Sequence, residues 1–528
     1  MHFMMRLVSR RWFCFLILYI VLVDCQNESI PTAVPIPTPT IPDNDTGPTP
    51  QHSNKESLPP CEYWVATPPS GDDSNPGTFA APWATLEYAA ANVPDNYCTV
   101  WFKSGIYEGS NNLTERFATP TTFKAVTPYQ AVLEHSGNVI ELDGVRNMTF
   151  EGFEMRHSGP DANKYIVIAD RRNDTWSEYV IFRNNIFHDS YNEDILKIHN
   201  GARFFTVANN IFYNQSEPEQ HIDINSVTDV VIQDNIFFND FAGSGRPNTQ
   251  ETKHFIVVKD SNEDDDGLEG SERITIRRNI FLSWEGGEEA FLQIGNDGKP
   301  YHEAENVLIE NNLMIGNGSD LVYAVFGVKG AKNVIFGNNT VVGNMPANAY
   351  ALNVSITGNN PLNENIIFMN NIWSDPTGTM GVEETNNPKF SNGKPDSADI
   401  IILYNNLYWN GDQAIPDGNS VSPLEDDDQP VVADPLLNVD HDNIVLPRWN
   451  GTSFLSGNHS IREEFERLVN AYGRVPDNSP VIGQASPGFA PADDILGQFR
   501  GSTAELGAYE FEPIILDQYL HMPFVIRN

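Results

Sequence analysis

The sequence predicts an all-β solenoid, one chain wound into stacked parallel coils, on the strength of two observations. The first is an internal repeat. Asn184-Asn185-Ile186-Phe187, Asn209-Asn210-Ile211-Phe212, Asp234-Asn235-Ile236-Phe237 and Arg278-Asn279-Ile280-Phe281 are followed more loosely by Asn311-Asn312-Leu313, Asn338-Asn339-Thr340, Asn370-Asn371-Ile372 and Asn405-Asn406-Leu407. The first three copies lie about 25 residues apart, within the ~20–50 residue period of solenoids. Later spacings are wider, as loops inserted into single coils would make them. The second observation is what lies between the copies: short β-type runs such as Val180-Ile181-Phe182, Phe205-Thr206-Val207, Val230-Val231-Ile232, Ile274-Thr275-Ile276 and Val307-Leu308-Ile309, with no long helical period among them.

Within the repeat one Asn recurs in place: Asn185, Asn210, Asn235, Asn279, Asn312, Asn339, Asn371 and Asn406. Equal positions stack in a solenoid. An Asn there can adopt the left-handed conformation of a sharp bend, and its amide can bond the Asn above and below. End coils expose apolar core and need caps. Pro82 to Val93 reads as a short amphipathic helix that plugs the N-terminal end. Ile461 to Tyr472 is a second helix, expected near the other end.

The ends of the chain read differently. Arg6, Arg10 and Arg11 precede a short apolar core from Trp12 to Val23, the pattern of a secretory signal rather than a membrane span. Cys25 follows Leu22-Val23-Asp24, a setting like a lipoprotein cleavage site but with Asp24 where a small residue belongs, so export is expected and a lipid anchor at Cys25 is the weaker alternative. Residues 26–60 form a Pro/Thr-rich linker. The division is therefore 1–25 signal peptide, 26–60 linker, 61–415 β-solenoid, and 416–528 C-terminal coils and cap packed on it. The chain is expected outside the cell or on its surface, as a monomer with no transmembrane span once mature. Cys61 and Cys98 remain for an exported domain and are expected to staple neighbouring strands as a disulfide.

The formal net charge is −39, from 71 acidic and 32 basic residues. Such a surface repels nucleic acid and anionic membrane. It also repels an acidic polymer unless the site supplies local cations or a metal.

Several stretches carry a family resemblance. Tyr63-Trp64-Val65-Ala66-Thr67, Gly71-Asp72-Asp73-Ser74-Asn75-Pro76-Gly77-Thr78, Ala81-Pro82-Trp83 and Val100-Trp101-Phe102-Lys103-Ser104-Gly105-Ile106-Tyr107 resemble the opening of exported right-handed parallel β-helix proteins. Asp434-Pro435-Leu436, Ser479-Pro480-Val481-Ile482, Asp494-Ile495-Leu496-Gly497 and Leu506-Gly507-Ala508-Tyr509-Glu510 resemble their closing coils. The resemblance, to the pectate-lyase-like and alginate- and chondroitin-lyase-like superfamily, spans nearly all of the chain after the linker. It implies a single-stranded right-handed parallel β-helix with three sheets per coil and a substrate lying along one outer face. It implies no particular chemistry, since lyases, glycosidases, epimerases and adhesins share that fold.

Aligning the strand after each repeat places Ile195-Leu196-Lys197-Ile198-His199 on His221-Ile222-Asp223-Ile224-Asn225, then on Phe255-Ile256-Val257-Val258-Lys259 and Phe291-Leu292-Gln293-Ile294. Alternation then sets Lys197, His199, His221, Asp223, Asn225, Lys259 and Gln293 on one face. That set suits β-elimination on a uronic-acid polysaccharide, which needs a cation on the sugar carboxylate, a base for the C5 proton and an acid for the leaving oxygen. By resemblance, Lys197 or Lys259 is the base and calcium the carboxylate clamp, for which Asp223 with Asn225, Glu193 or Glu219 offers oxygen ligands. His221 is a second acid or base. Arg246 is a carboxylate clamp, and His199, Asn225, Gln293 and Trp284 bind substrate. Asn192-Glu193-Asp194 before Lys197 resembles the alginate- and chondroitin-lyase-like pattern, with Asp223 where those enzymes carry an Arg. Pectate-lyase-like enzymes show a richer Asp cluster on the strand.

The acidic run Glu263-Asp264-Asp265-Asp266 reads as a solvated loop or a calcium loop. Glu285, Glu288 and Glu289 beside Trp284 offer a glycosidase alternative. A carbohydrate-binding or adhesion protein is the non-enzymatic one.

Overall fold

The computed structural model describes residues 61–511 except 217, 247–251, 264, 288, 318–321, 345–349, 382–386 and 395. The expected signal peptide and linker, Cys14, Cys25, Asp264 and Glu288 lie outside the described residues. Among those described, no helix is long and apolar enough to cross a membrane.

Each coil contributes one strand to each of three parallel sheets. The first sheet has 12 strands, from Glu62–Val65 to Ile401–Tyr404; the second has 12, from Gly105–Glu108 to Val431–Val432; the third has 10, from Asn111–Leu113 to Ser391–Asn392. Strands pair in register with their counterparts one coil away, as in Ile186↔Ile211↔Ile236↔Ile280. The last strand, Val431–Val432, pairs with Leu407–Trp409, so the coils run past residue 415.

The repeat motif is explained position by position. Its first residue takes the left-handed bend: φ is 56° at Asn184, 54° at Asn209, 59° at Asp234 and 51° at Arg278. The bend therefore falls one residue before the recurrent Asn, which does the stacking. Asn210 Nδ2 donates to Asn235 Oδ1 (3.1 Å) and Asn235 Nδ2 to Asn279 Oδ1 (3.0 Å), and so on to Asn406. Each Nδ2 also donates to a buried carbonyl, Asn235 to Val207 at 2.8 Å. The row ends on Asp427, whose carboxylate accepts from Asn406 Nδ2 and from Tyr408 Oη. The motif's Phe points inward, and Phe187, Phe212, Phe237 and Phe281 stack with centroids 4.7, 5.1 and 4.9 Å apart. The motif's Ile points outward, into a second apolar cluster.

That second cluster sets the place of the C-terminal segment. Ile186, Ile211, Ile236, Ile280, Leu313 and Ile372 pack against Phe454, Phe465, Leu468, Val481, Ile495 and Leu506. From Ile186 onward the second sheet is thus buried on both faces, which is why Ile and Phe follow each other without alternation. The helix Ile461–Leu468, held by a Ser460/Glu463 capping box, lies along this flank rather than over the far end: its first N–H reaches Tyr129 Oη of an early coil. The N-terminal plug is Leu86–Asn92, started by Thr85, whose hydroxyl accepts from Tyr88 N. It buries Leu86, Ala89 and Ala90 in the interior core. Cys61 and Cys98 form the expected disulfide across the first two strands of the first sheet.

Candidate functional site

The site is built on the outward positions of the third sheet. Lys197 pairs in register with Asp223, Asp223 with Val257, and Val257 with Gln293, while His199, Asn225 and Lys259 form the neighbouring column. The strand alignment read from the sequence is the observed one.

Two ammonium groups share one carboxylate. Lys197 Nζ lies 2.6 Å from Asp223 Oδ2 and 3.6 Å from Asp194 Oδ2; Lys259 Nζ lies 3.9 Å from Asp223 Oδ2 and 3.4 Å from Asp297. Both lysine side chains keep 15% of their surface exposed, against 1% for Asp223 and Asp194. The cations therefore face solvent with the carboxylates beneath them. Burial alone would make the lysines easier to deprotonate, but Asp223, with Asp194 for Lys197 and Asp297 for Lys259, reverses this and holds both charged. As they stand both lysines are ammonium cations. Burial would raise Asp223 too, yet the Lys197 and Lys259 ammoniums pull it below the ordinary carboxylate range. Asp194 goes the other way: burial and the neighbouring Asp223 push it well up. Burial and Asp223 also raise Glu219. The Gln220 backbone N–H donates to Asp194 Oδ1 at 2.9 Å.

Beside the lysines stands a His–carboxylate pair absent from the sequence reading. His199 Nε2 lies 3.4 Å from Asp170 Oδ2, on the preceding coil. Burial would raise Asp170, but the neighbouring His199 imidazole and the hydrogen bond from Asn200 Nδ2 (2.7 Å) bring it below the usual range. Tyr165, whose ring has Lys197 Nζ 5.7 Å from its centroid, is kept as a phenol by burial.

Four other expected residues stand elsewhere. His221 has the right parity but sits at the sheet corner, fully buried, its ring against Phe255 and its Nε2 on Asn239 Oδ1 at 3.0 Å; burial lowers its pKa to about 3. Arg246 is engaged by Asp189, Asn214, Ser190 and Ser216, and stacks over Tyr191. Trp284 is core, packed on Phe255 and Phe291. Gln293 is buried and donates to Gly295 O. Asn225 lies on the face, but its amide both accepts from and donates to Ser261, so it fixes the loop after Lys259.

The expected calcium ligands do not fit that ion as arranged. Of Asp223, Glu193 and Glu219, Asp223 turns one oxygen onto the Lys197 ammonium, and burial and Asp223 hold Glu219 above the usual carboxylate range. Among the described residues, no group of three or more His, Cys, Asp or Glu is placed to hold a metal. Asp265 and Asp266 instead tie the acidic loop to the coil through their carbonyls, which accept from Arg171 and Trp176.

No protein-family model and no curated protein sequence matches the chain. Solved structures do. A GH136 lacto-N-biosidase from Eubacterium ramulus is similar at TM-score 0.50 and 12% identity, over 70% of this chain and 67% of that one. The fold is the right-handed parallel β-helix. Similar β-helices include the pectate lyase Pel9A (TM-score 0.49, 15% identity, 85% of this chain and 96% of that one) and the A-module of the Azotobacter vinelandii mannuronan C-5 epimerase AlgE6 (TM-score 0.43, 11% identity, 64% and 91%). At these identities the likeness is one of fold.

Proposed function

We propose that this chain is a carbohydrate-active β-helix that removes the C5 proton of a uronate in an acidic polysaccharide, without a metal. The observation that carries the reading is the pair of solvent-facing ammoniums, Lys197 and Lys259, beside the His199–Asp170 pair on one face. The lysines hold the sugar carboxylate and stabilise the charge that spreads onto it as the C5–H bond breaks. His199, its Nε2 on Asp170, takes that proton at Nδ1. The electron pair of the C–H bond becomes the C4–C5 double bond, the C4–O4 bond breaks, and the leaving oxygen receives the Tyr165 proton. Return of a proton to C5 without C4–O4 cleavage makes the same site an epimerase.

A glycosidase needs one protonated and one ionised carboxyl group at the sugar. Asp194 is shifted up and Asp223 down, but both are buried beneath the lysines. Glu285 accepts from Phe241 N. The elimination reading is therefore favoured.

The test is ultraviolet absorbance of unsaturated uronate on incubation with pectate, alginate and glycosaminoglycans, with and without a chelator, and C5 deuterium uptake by NMR. Absorbance or exchange with one polymer, unchanged by the chelator and lost in His199→Ala, is expected. A flat trace with no exchange across the panel sinks the proposal in favour of binding alone, and loss on chelation overturns its metal-free form.

A further inference from the structure

The second sheet carries a different polar site, away from the third-sheet face. Its outer surface is covered by apolar residues of the C-terminal segment from Ile186 onward. At the earlier coils the cover meets Tyr129 and Gln130 and encloses with them a cavity of ≈ 370 Å³, lined by Tyr129, Gln130, Val132, Glu154, Arg156, His188, Trp449, Asn450 and Gly451. Gln130 Nε2 donates to Gly451 O at 2.7 Å, so two parts of the chain 321 residues apart close one wall.

The lining is charged, yet the charges are matched. Arg156 bonds Glu134 (2.7 Å) and Glu154 (2.7 Å); His188 lies 3.2 Å from Glu154 and 2.8 Å from Asp189; Asp189 is also bonded by Arg246 at 2.8 Å. Of these, Glu154, Arg156 and His188 line the cavity, and Glu134 and Asp189 behind the wall match the remaining charge of Arg156 and His188, Asp189 being shared with Arg246. Burial would discharge His188, but Asp189 and Glu154 hold it charged up to about pH 9, so the balance holds at neutral pH. A net-charged ligand gains nothing from such a balanced set, and an apolar one would strand its hydrogen-bonding groups. Val132 and Trp449 supply an apolar wall. Trp449 is about nine-tenths buried, and its indole N–H has no partner.

We propose that this cavity binds one ring of a neutral sugar. A pyranose presents C–H faces to Trp449 and Val132, and vicinal hydroxyls that pair with a carboxylate and a guanidinium held side by side, as Glu154 and Arg156 are. The volume is at the small end of ligand sites, ~300–1,000 Å³, which suits a single ring over an oligosaccharide. The site is independent of the uronate chemistry proposed for the third sheet.

The test is saturation-transfer NMR and calorimetry on the whole chain with xylose, galactose, mannose and N-acetylglucosamine, with galacturonate as the charged comparison and glycerol as the non-ring control. At least one neutral sugar is expected to bind in about the millimolar range. Val132→Phe, which fills the cavity, and Arg156→Gln, which keeps its size but loses the fork, should each weaken that binding about tenfold or more. Lys197→Ala should leave it unchanged. The proposal is overturned if none of the four neutral sugars binds, if glycerol or galacturonate binds as well, if binding survives both cavity variants, or if Lys197→Ala abolishes it.

Discussion

At the scale of single residues, the site is an ion cluster with little tolerance for losing one member. Asp223 compensates two ammoniums and is itself buried. Breaking a buried ion pair costs about 3–5 kcal/mol, so Asp223→Asn should lower the free energy of unfolding by about that amount, read from urea midpoints at neutral pH. His188 gives a pH signature. Its folded-state pKa of about 9 stands above the unfolded 6.5, so its contribution is complete below the unfolded value and is lost as pH rises through about 9. At ~1.4 kcal/mol per pH unit, wild type should lose about 3 kcal/mol across that window, and His188→Gln should lack this loss. An equal decline in both proteins would show that His188 is not the group responsible. Lys197, His199, Asp223, Asn225 and Lys259 were legible in sequence because strict alternation and the repeat fix strand register together. His221 was misplaced because parity says which side a residue leaves the strand on, not whether that side is open. Asp170 was missed because its coil carries Gly152-Phe153 where later coils carry Asn-Asn-Ile-Phe, so it fell outside the alignment.

At the scale of elements, the Asn row and the Phe stack hold the coils in register. Truncating Asn235 would leave Val207 O, Asn210 N, Asn210 Nδ2 and Asn279 Oδ1 each short of a bond inside the coil. At ~1–3 kcal/mol per stranded group, Asn235→Ala should cost about 4 kcal/mol or more, measured by chemical denaturation. A cost below about 1 kcal/mol, the size of a typical surface change, would mean that the row is decorative. The spacing along the row varies, 25 residues from Asn210 to Asn235 and 44 from Asn235 to Asn279, while the bond lengths do not. Insertions are therefore absorbed in the loops. The sequence revealed the row through its recurrence. It concealed the position of the bend, because the Asn-Asn pair offers two equally suitable residues and only the backbone separates the left-handed one from the stacking one.

At the scale of the whole molecule, two devices finish the solenoid: the Leu86–Asn92 plug at one end and the C-terminal cover along the second sheet. Leu86→Ala removes a buried side chain of the plug and should cost ~2–5 kcal/mol, seen as a lower thermal midpoint. An unchanged midpoint would show that the plug is dispensable. The cover was not legible as a flank. Helical periodicity identifies a helix near Phe465 and Leu468, but only the outward Ile of each repeat says where it docks, and in sequence that Ile reads as interior. The net charge of −39 belongs to this scale as well. An acidic polymer approaching such a surface is repelled everywhere except where cations are presented, which is what Lys197 and Lys259 do.

The Asn row has a direction. Every side-chain amide donates toward the next coil, so their dipoles add, as peptide dipoles do in a helix, and the last coil presents the electropositive end. Asp427 is the counter-charge at that end. The solenoid therefore carries an electrical polarity along its axis, set by side chains alone. Coils spliced into its middle would extend the row without disturbing either terminus. Coils appended after Asn406 would have to carry a carboxylate forward to the new last position, or leave an uncapped positive pole buried in the wall.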